Sequence, residues 1–581
     1  MKHLIFLFLL GLLFCTSCSV DDPIIEELEP AYYPVESKTV GRVLNQQGTP
    51  ISDAIVELNG KTAITNSLGL FKFDKMELNG AGTNMIVRKL GYFNAYRTFI
   101  PNIPSISSVT VYMIERPPSA SFQHNVGGTI GFSGGASVTI LPNSVVDASG
   151  GIYTGEIQVT AYWLDPTDVN ALSLMPGNLS GYSLEDEQVQ LASYGMMVVE
   201  LTSPAGEPLN IGNGQTATLV FPIGSDLLSS APAVIPIWSF NESSGFWEEE
   251  GSANLTGTNY IAEVSHFSWW NCDAPFPVVE YEVCVLSEDG SPVSGAQVVI
   301  TITSGNLTGR PLTAISYTDQ NGKAFGKIPK DEALQLHILI GDLAAKCEFK
   351  EVYTSTIGPF SDPATSSITI GASLEARIID FSGNFVNCDG DPVVDGVLLS
   401  SISDSAFPIN ADGTVDFSMV SCADDIEITV YDFEELKQSP TSTFITTQPV
   451  NDITLIDFEV CDNLDEFITL AYGSNDELYI PIYGPSGSFA CWDSYGFQIG
   501  FQDASTSLCL VFETDVSNSI ITGTFPALFH FQNNPEFLNG NVNVDVTSFT
   551  VPGYLEGNYS GIVYNGNSNV NVSGIFRVIT Q

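Results

Sequence analysis

Gly131-Phe132-Ser133-Gly134-Gly135 has the Gly-x-Ser-x-Gly spacing that can expose a serine nucleophile at a sharp turn between a strand and a helix. That chemistry needs a helix after the serine, and residues 136–141 (ASVTIL) alternate as a strand instead, so Ser133 reads as a hairpin-turn residue. Asp389, Asp391 and Asp395 put three hard oxygen ligands close together, enough to meet around calcium, but acidic residues around Gly390 and Pro392 also suit a plain polar turn. Trp492, with Tyr483 and Tyr495 nearby, could form an aromatic platform that stacks on sugars, or fill the core of a sandwich. The sequence contains no His-Glu-x-x-His, phosphate-binding loop, dinucleotide fingerprint or EF-hand loop. Past the N-terminus the imidazoles are His124, His266, His337 and His530, and no Cys-x-x-Cys pair joins them, so no structural zinc is expected. No cofactor is expected beyond the calcium just named.

The bulk properties narrow the class. A chain of 581 residues exceeds what one core supports. Asp and Glu number 67 against 19 Lys and Arg, for a net charge of −48. Nucleic-acid binding needs a basic stripe that displaces counterions, so that partner is excluded, and attachment to anionic lipid by a basic face is disfavoured too. An aromatic content of 11% with 51 glycines suits a turn-rich all-β protein.

The first residues read as an address. Lys2 and His3 precede an apolar run over 4–14, well short of the ~20 residues a membrane span needs and of the right length for a secretory signal. Thr16-Ser17-Cys18 then resembles the lipobox of bacterial lipoproteins, although Cys15 stands where that family usually has an aliphatic residue. The resemblance implies lipidation of Cys18 and anchoring to the outer membrane. Ser19-Val20-Asp21-Asp22-Pro23 resembles the acidic export signal of Bacteroidota lipoproteins, which implies display at the cell surface.

Eight cysteines remain: Cys272, Cys284, Cys347, Cys388, Cys422, Cys461, Cys491 and Cys509. An even set in an exported chain suggests disulfides. Closeness within a module favours Cys284–Cys347, Cys388–Cys422 and Cys491–Cys509, leaving Cys272 and Cys461 at module ends.

These residues must be held by strands. Residues 39–73 alternate apolar and polar positions between Gly, Pro and Asn turns, the mark of half-buried antiparallel strands. The same plan returns around Gly290-Ser291-Pro292 and Gly322, and again around Gly390-Asp391-Pro392 and Gly413. From Gly48 to Gly69 the interval is 21 residues, and in the later copies it is 32 and 23, so the copies differ mainly in one hairpin. Repetition of this kind points to separate units strung along the chain. The motifs resemble the carboxypeptidase regulatory-like family, which implies a transthyretin-like seven-stranded sandwich without catalytic residues of its own.

Residues 138–142 (VTILP) and 153–160 (YTGEIQVT) resemble the ZU5 domain and the related astroprincin ectodomain. Within that stretch, 184–191 reads as a short helix or an exposed loop. Near its end His266-Phe267-Ser268 resembles the site at which some ZU5 domains cut themselves. The resemblance implies an N-to-O acyl shift: Ser268 attacks the Phe267 carbonyl, His266 takes the proton, and water opens the ester. A strand would place His266 and Ser268 on one face. The plain alternative is a β-strand with Phe267 and Trp269 facing the core. Residues 554–564 and 569–579 resemble the C-terminal sandwich of other Bacteroidota surface lipoproteins.

The expected protein is all-β, with tandem transthyretin-like or Ig-like β-sandwich modules in series. Its divisions are 1–17 (signal peptide), 18–32 (tether), 33–116 (carboxypeptidase regulatory-like), 117–275 (ZU5-like), 276–372 (second regulatory-like or Ig-like sandwich), 373–461 (third, degraded repeat) and 462–581 (C-terminal sandwich). The expected role is a non-enzymatic cell-surface lipoprotein, adhesin-like or scaffolding, with an unnamed protein or glycan partner. The alternatives are a glycan-binding lipoprotein and a protein matured by cleavage at Phe267–Ser268.

Overall fold

The computed structural model describes residues 34–580 other than 67, 81, 102–105, 167, 169, 226, 304–311, 342–349, 374, 464–466, 473–474, 481–496, 503–505, 513–522, 534–535 and 550–552. Nearly every described element is a strand. Among the described residues the exceptions are a single turn of α-helix at Ala171–Leu174 and a 3-10 turn at Ser133–Gly135. That 3-10 turn joins the paired strands Gly128–Gly131 and Ser137–Ile140, so Ser133 lies in a hairpin.

The strand Pro34–Asn45 pairs antiparallel with Leu70–Asn79 and parallel with Ser107–Met113. Facing this sheet is a four-stranded one made of Lys61–Ile64, Ile55–Leu58, Thr83–Arg88 and Ala95–Phe99 in that order. Val43, Val56, Leu58, Phe71, Met85 and Val111 close the two sheets over a buried core. Burying one such side chain contributes roughly 1.5–3 kcal/mol.

The same two-sheet plan recurs twice, with the second sheet four-stranded again in the second copy and widened to six strands in the third. In the second copy Trp269–Ser287 is flanked by Lys323–Pro329 and, in parallel, Ala364–Ile370. In the third Arg377–Val386 is flanked by Thr414–Ser421 and, in parallel, Val450–Glu459. Equivalent bridges tie Leu44 to Pro50, Leu286 to Pro292 and Val386 to Pro392. The glycines that punctuate the sequence also hold equivalent places. The Val43, Val285 and Phe385 amides donate to the carbonyls of Gly69, Gly322 and Gly413 at 2.8, 2.8 and 2.9 Å. All three glycines have φ between +70° and +80°, where a Cβ is strained. A Cβ there would also stand 2.4, 2.5 and 2.9 Å from the carbonyl oxygens of Val43, Val285 and Phe385. Local sterics therefore explain why the repeat is written in glycine.

One boundary differs from expectation. Trp269–Ser287 is one continuous strand of 19 residues. Its first half pairs with Gln188–Thr202 and Val234–Asn241 in the second module, and its second half with the next sandwich. The division at 275/276 thus falls inside a strand, whose pairing passes at Pro277–Val278 from Gln188–Thr202 directly to Lys323–Pro329. Of the two readings of 184–191 the exposed loop holds for 184–187, a tight turn closed by the Ser183 amide on the Glu187 carbonyl at 2.9 Å, and Gln188 opens the next strand.

The modules follow one another along the chain, yet they are not separate in space. Val40 and Leu70 of the first sandwich share a core with Val397, Leu399, Ala406 and Tyr431 of the fourth module. A second shared core joins Leu44, Tyr96 and Tyr112 to Leu191, Trp238 and Trp247 of the second module, with Val299 beside them. Val293–Ser294 even adds a parallel pairing to Ser418 and Met419 of the following module.

Among the described residues of the C-terminal region the strands form one eight-stranded antiparallel sheet. Asn475–Ile480 and Phe497–Gln502 lie at its two edges. Alternation along Glu536–Phe549 and Gly553–Tyr564 buries one face only. That pattern is the same whether the face packs on a second sheet or on the curl of its own, so the sequence could not tell them apart.

Candidate functional site

His266, Phe267 and Ser268 do not lie on a strand. They occupy the bend between Asn259–Val264 and Trp269–Ser287. The His266 ring contacts both carboxylate oxygens of Glu250 through Nε2, at 3.0 and 3.1 Å, and tilts over Trp270 at 5.0 Å between centroids. The Trp270 indole N–H donates to the His266 carbonyl at 3.2 Å. The Phe267 amide donates to Asn210 Oδ1 at 2.9 Å, while its ring rests partly buried on the core. Ser268 Oγ donates forward to the Trp269 carbonyl at 3.0 Å. The acyl shift needs Ser268 aimed back at the Phe267 carbonyl with a neutral imidazole beside it. The hydrogen bond to Glu250 instead raises the His266 pKa above its ordinary value, although burial opposes this, and His266 in turn holds the Glu250 carboxyl below its usual range. The pair of His266 and Glu250 orients the bend.

The three aspartates are not gathered. The amides of Asp389 and Asp391 both donate to Asn387 Oδ1, at 3.0 and 2.9 Å, so these residues form an Asx-type turn. Asp395 turns to the first sandwich, where it pairs with Lys38 and with Lys72 at 2.7 Å. Burial works against its charge, but the two lysines outweigh that and hold the carboxyl below the usual range. Among the described residues no group of three His, Cys, Asp or Glu side chains is placed to hold a metal ion. The calcium reading of Asp389, Asp391 and Asp395 is corrected accordingly: local spacing in sequence did not survive the outward turn of Asp395.

The cysteines also depart from proximity in sequence. Cys284 and Cys388 carry free thiols, so neither Cys284–Cys347 nor Cys388–Cys422 is formed. Cys422 is disulfide-bonded, and because Cys272, Cys284, Cys388 and Cys461 are all free, its partner is none of them. Cys272 is wholly buried, and burial pushes its thiol well up. Cys18, Cys347, Cys491, Trp492, Tyr483 and Tyr495 lie outside the described residues, as does the side chain of Cys509 in the strand Thr506–Phe512.

What sequence reasoning missed is the junction of the modules. Tyr112 O–H donates to Asp404 Oδ2 at 2.7 Å and Ser108 Oγ to the Ala406 carbonyl at 2.6 Å, both reaching from the first sandwich to the fourth module. A cavity of about 500 Å³ lies where the modules meet, lined in part by Arg97, Tyr112, Gln190, Tyr281, Tyr317 and Phe407. The signal was present in the first strand. Val40 and Leu44 face away from the core that Val43 enters, yet both are buried. A strand apolar on both faces is covered on both.

No protein-family model matches the chain. Cartilage intermediate layer protein 2 of Homo sapiens is 26% identical over 122 residues, covering 21% of this chain and 10% of that protein. Cartilage intermediate layer protein 1 of Sus scrofa is 29% identical over 103 residues, covering 17% of this chain and 16% of that protein. The chain thus spans only a small part of the length of these curated relatives. Among solved structures, the minor pilin GBS52 of Streptococcus agalactiae aligns at 11% identity and a TM-score of 0.14, over 32% of this chain and 96% of the pilin. The Bacillus anthracis TIE protein aligns at 9% identity and a TM-score of 0.14, over 86% of this chain and 73% of that one. Superpositions this loose carry nothing about function.

Proposed function

We propose that this is an exported, non-enzymatic surface protein, lipid-anchored to the outer membrane through Cys18, whose fused sandwiches form a stiff support for a C-terminal recognition sheet. The reading rests on the interlock of the first and fourth modules, where Lys38 and Lys72 converge on Asp395 above a shared apolar core. A support that shares cores between modules bends less than one joined by free linkers, because bending must expose apolar area. Adhesin-like or scaffolding work needs that stiffness. Among the described residues no helix is long and apolar enough to cross a membrane. The test is metabolic labelling with a palmitate analogue, with protease shaving of intact cells. Label that is lost in Cys18→Ala, with the chain digested from outside, is the expected result. Unlabelled or protected chain overturns the reading.

A glycan-binding role has one observation of its own. The exposed face of the C-terminal sheet carries Asn541, Asn543, Asn558, Ser560, Asn571 and Ser573 on neighbouring strands, with Asp545 at one end and Ile562 and Ile575 beside them, a mostly uncharged hydrogen-bonding surface on a chain of net charge −48. Such amides suit a neutral polysaccharide. Retention of the full chain on neutral polysaccharide columns, lost on charging the face with Asn541→Asp and Asn571→Asp, supports it, and flow-through of the wild type removes it.

A further inference from the structure

The three repeats share one contact that changes in chemistry from copy to copy. Gln46, Glu288 and Cys388 each sit two residues past the bridged positions Leu44, Leu286 and Val386, at the start of the turn after the first strand. In the first copy Gln46 Oε1 accepts from the Glu115 amide at 3.0 Å, at the end of the last strand. In the second a Cβ on Gly371, just past the last strand, would stand 3.0 Å from Glu288 Oε1. In the third the facing position is Cys461. Parallel pairing runs to Val386 beside Glu459, and the Val460 amide donates to the Val386 carbonyl at 2.9 Å. Two residues further along each strand, Cys388 Sγ donates to the Cys461 carbonyl at 3.8 Å. The Cys388 side chain beside it pushes the Cys461 thiol up to about 11.

We propose that Cys388 and Cys461 form a disulfide in the exported protein, stapling the first strand of the third repeat to the exit of its last. Neighbouring strands lie ~4.8 Å apart, within the ~4.4–6.8 Å that a disulfide spans between Cα atoms. Cys388 is exposed and Cys461 half-buried, so an oxidant reaches both. Each thiol gives up a proton, and the pair gives two electrons to a disulfide-bearing oxidant, a thiol–disulfide exchange enzyme in the cell or oxidised glutathione in the tube. Two S–H bonds and the oxidant's S–S bond break, one S–S bond forms, and the two protons and two electrons leave on the oxidant's sulfurs, as the enzyme's dithiol or as two molecules of glutathione. The staple encloses the 73 residues that separate the cysteines. It stands where the chain leaves for the C-terminal sheet through Asp462–Asn463. A pull on that sheet is then passed to Cys388 and does not peel Val450–Glu459 from its partner.

The oxidising setting rests on the export proposed above, while the juxtaposition does not. The full chain, recovered from cells with its thiols blocked, is digested without reductant and its linked peptides are identified by mass spectrometry. A Cys388–Cys461 peptide is expected, and Cys461→Ser is expected to leave Cys388 open to alkylation. Reduced protein treated with oxidised glutathione should regenerate the same link. Failure in the tube, with both thiols alkylated or Cys388 joined elsewhere, overturns the juxtaposition. A link formed in the tube but absent in protein from cells overturns the oxidation in the cell, and with it the export leg. Stretching single molecules gives a second readout: the third repeat should release about 250 Å less chain until reductant is added. Equal release with and without reductant also overturns the staple.

Discussion

Lys72 and Asp395 are separated by 323 residues in the chain, and their side chains meet at 2.7 Å. Lys38 joins the same carboxylate from the neighbouring position on the sheet. Burial works against the charge on Lys72, but Asp395 outweighs it and leaves the lysine above its ordinary pKa. This small charged cluster sits beside the apolar seam of Val40, Leu70, Val397 and Tyr431 and fixes how the first sandwich lies on the fourth module.

Replacing Asp395 with Ala takes the shared carboxylate from Lys38 and leaves Lys72 only the exposed Asp74 at 3.0 Å, and should cost about 1–3 kcal/mol. Because the Asp395 carboxyl is held low, its contribution is present above the unfolded value near ~4 and is lost as pH falls through the lower folded value. The raised Lys72 contributes fully below ~10.4 and loses its part as pH rises beyond that. Thermal melts of wild type and Asp395→Ala at pH 3, 7 and 11 check this. A constant gap between them across that range would sink the account.

The repeat glycines separate strain from collision. Gly60 has φ of +77° with nothing within 4 Å of a built Cβ, so Gly60→Ala should cost only about 1–2 kcal/mol of left-handed strain. At Gly69 the same strain adds to a Cβ 2.4 Å from the Val43 carbonyl oxygen, so Gly69→Ala should cost about 3 kcal/mol or more. Urea midpoints measure both, and equal losses would mean that the backbone moves aside.

Asp273 is fully buried, and burial pushes its carboxyl well above the usual range although Asn271 and Ser193 donate towards it. A raised carboxyl stabilises most below its unfolded value near ~4, and that contribution drains away as pH rises towards the folded value. Asp273→Asn removes the titration. The variant should match wild type near pH 4 and exceed it at pH 7.5, each pH unit of the window being worth about 1.4 kcal/mol. Parallel stability curves for the two proteins would argue against a neutral buried carboxyl.

The His266 bend should stay intact. Purified full chain should run as one band on a denaturing gel, since Ser268 Oγ is turned towards the Trp269 carbonyl. His266→Ala should cost less than about 1 kcal/mol, as the pair with Glu250 is about a third exposed on both sides. The raised imidazole contributes below ~6.5 and loses its share as pH rises past the folded value. Two fragments split near Phe267, abolished by Ser268→Ala, would overturn this geometry.

The sequence by itself determined the repeat. Gly69, Gly322 and Gly413 must be glycine for reasons within a few residues of backbone, and alternation between them dictates strands, so three copies of one sandwich could be read directly. The turn at Asn387 was legible for the same reason, because an Asx side chain bonds the amides just after it. Only the tertiary structure decided what the outer faces touch. Asp395 looked like a companion of Asp391 and belongs to Lys72; Cys388 looked like a partner of Cys422 and lies against Cys461. The apolar pattern of a strand says which side is buried but not by what. That is settled by which distant surfaces fit, a matter of shape and charge summed over hundreds of intervening residues.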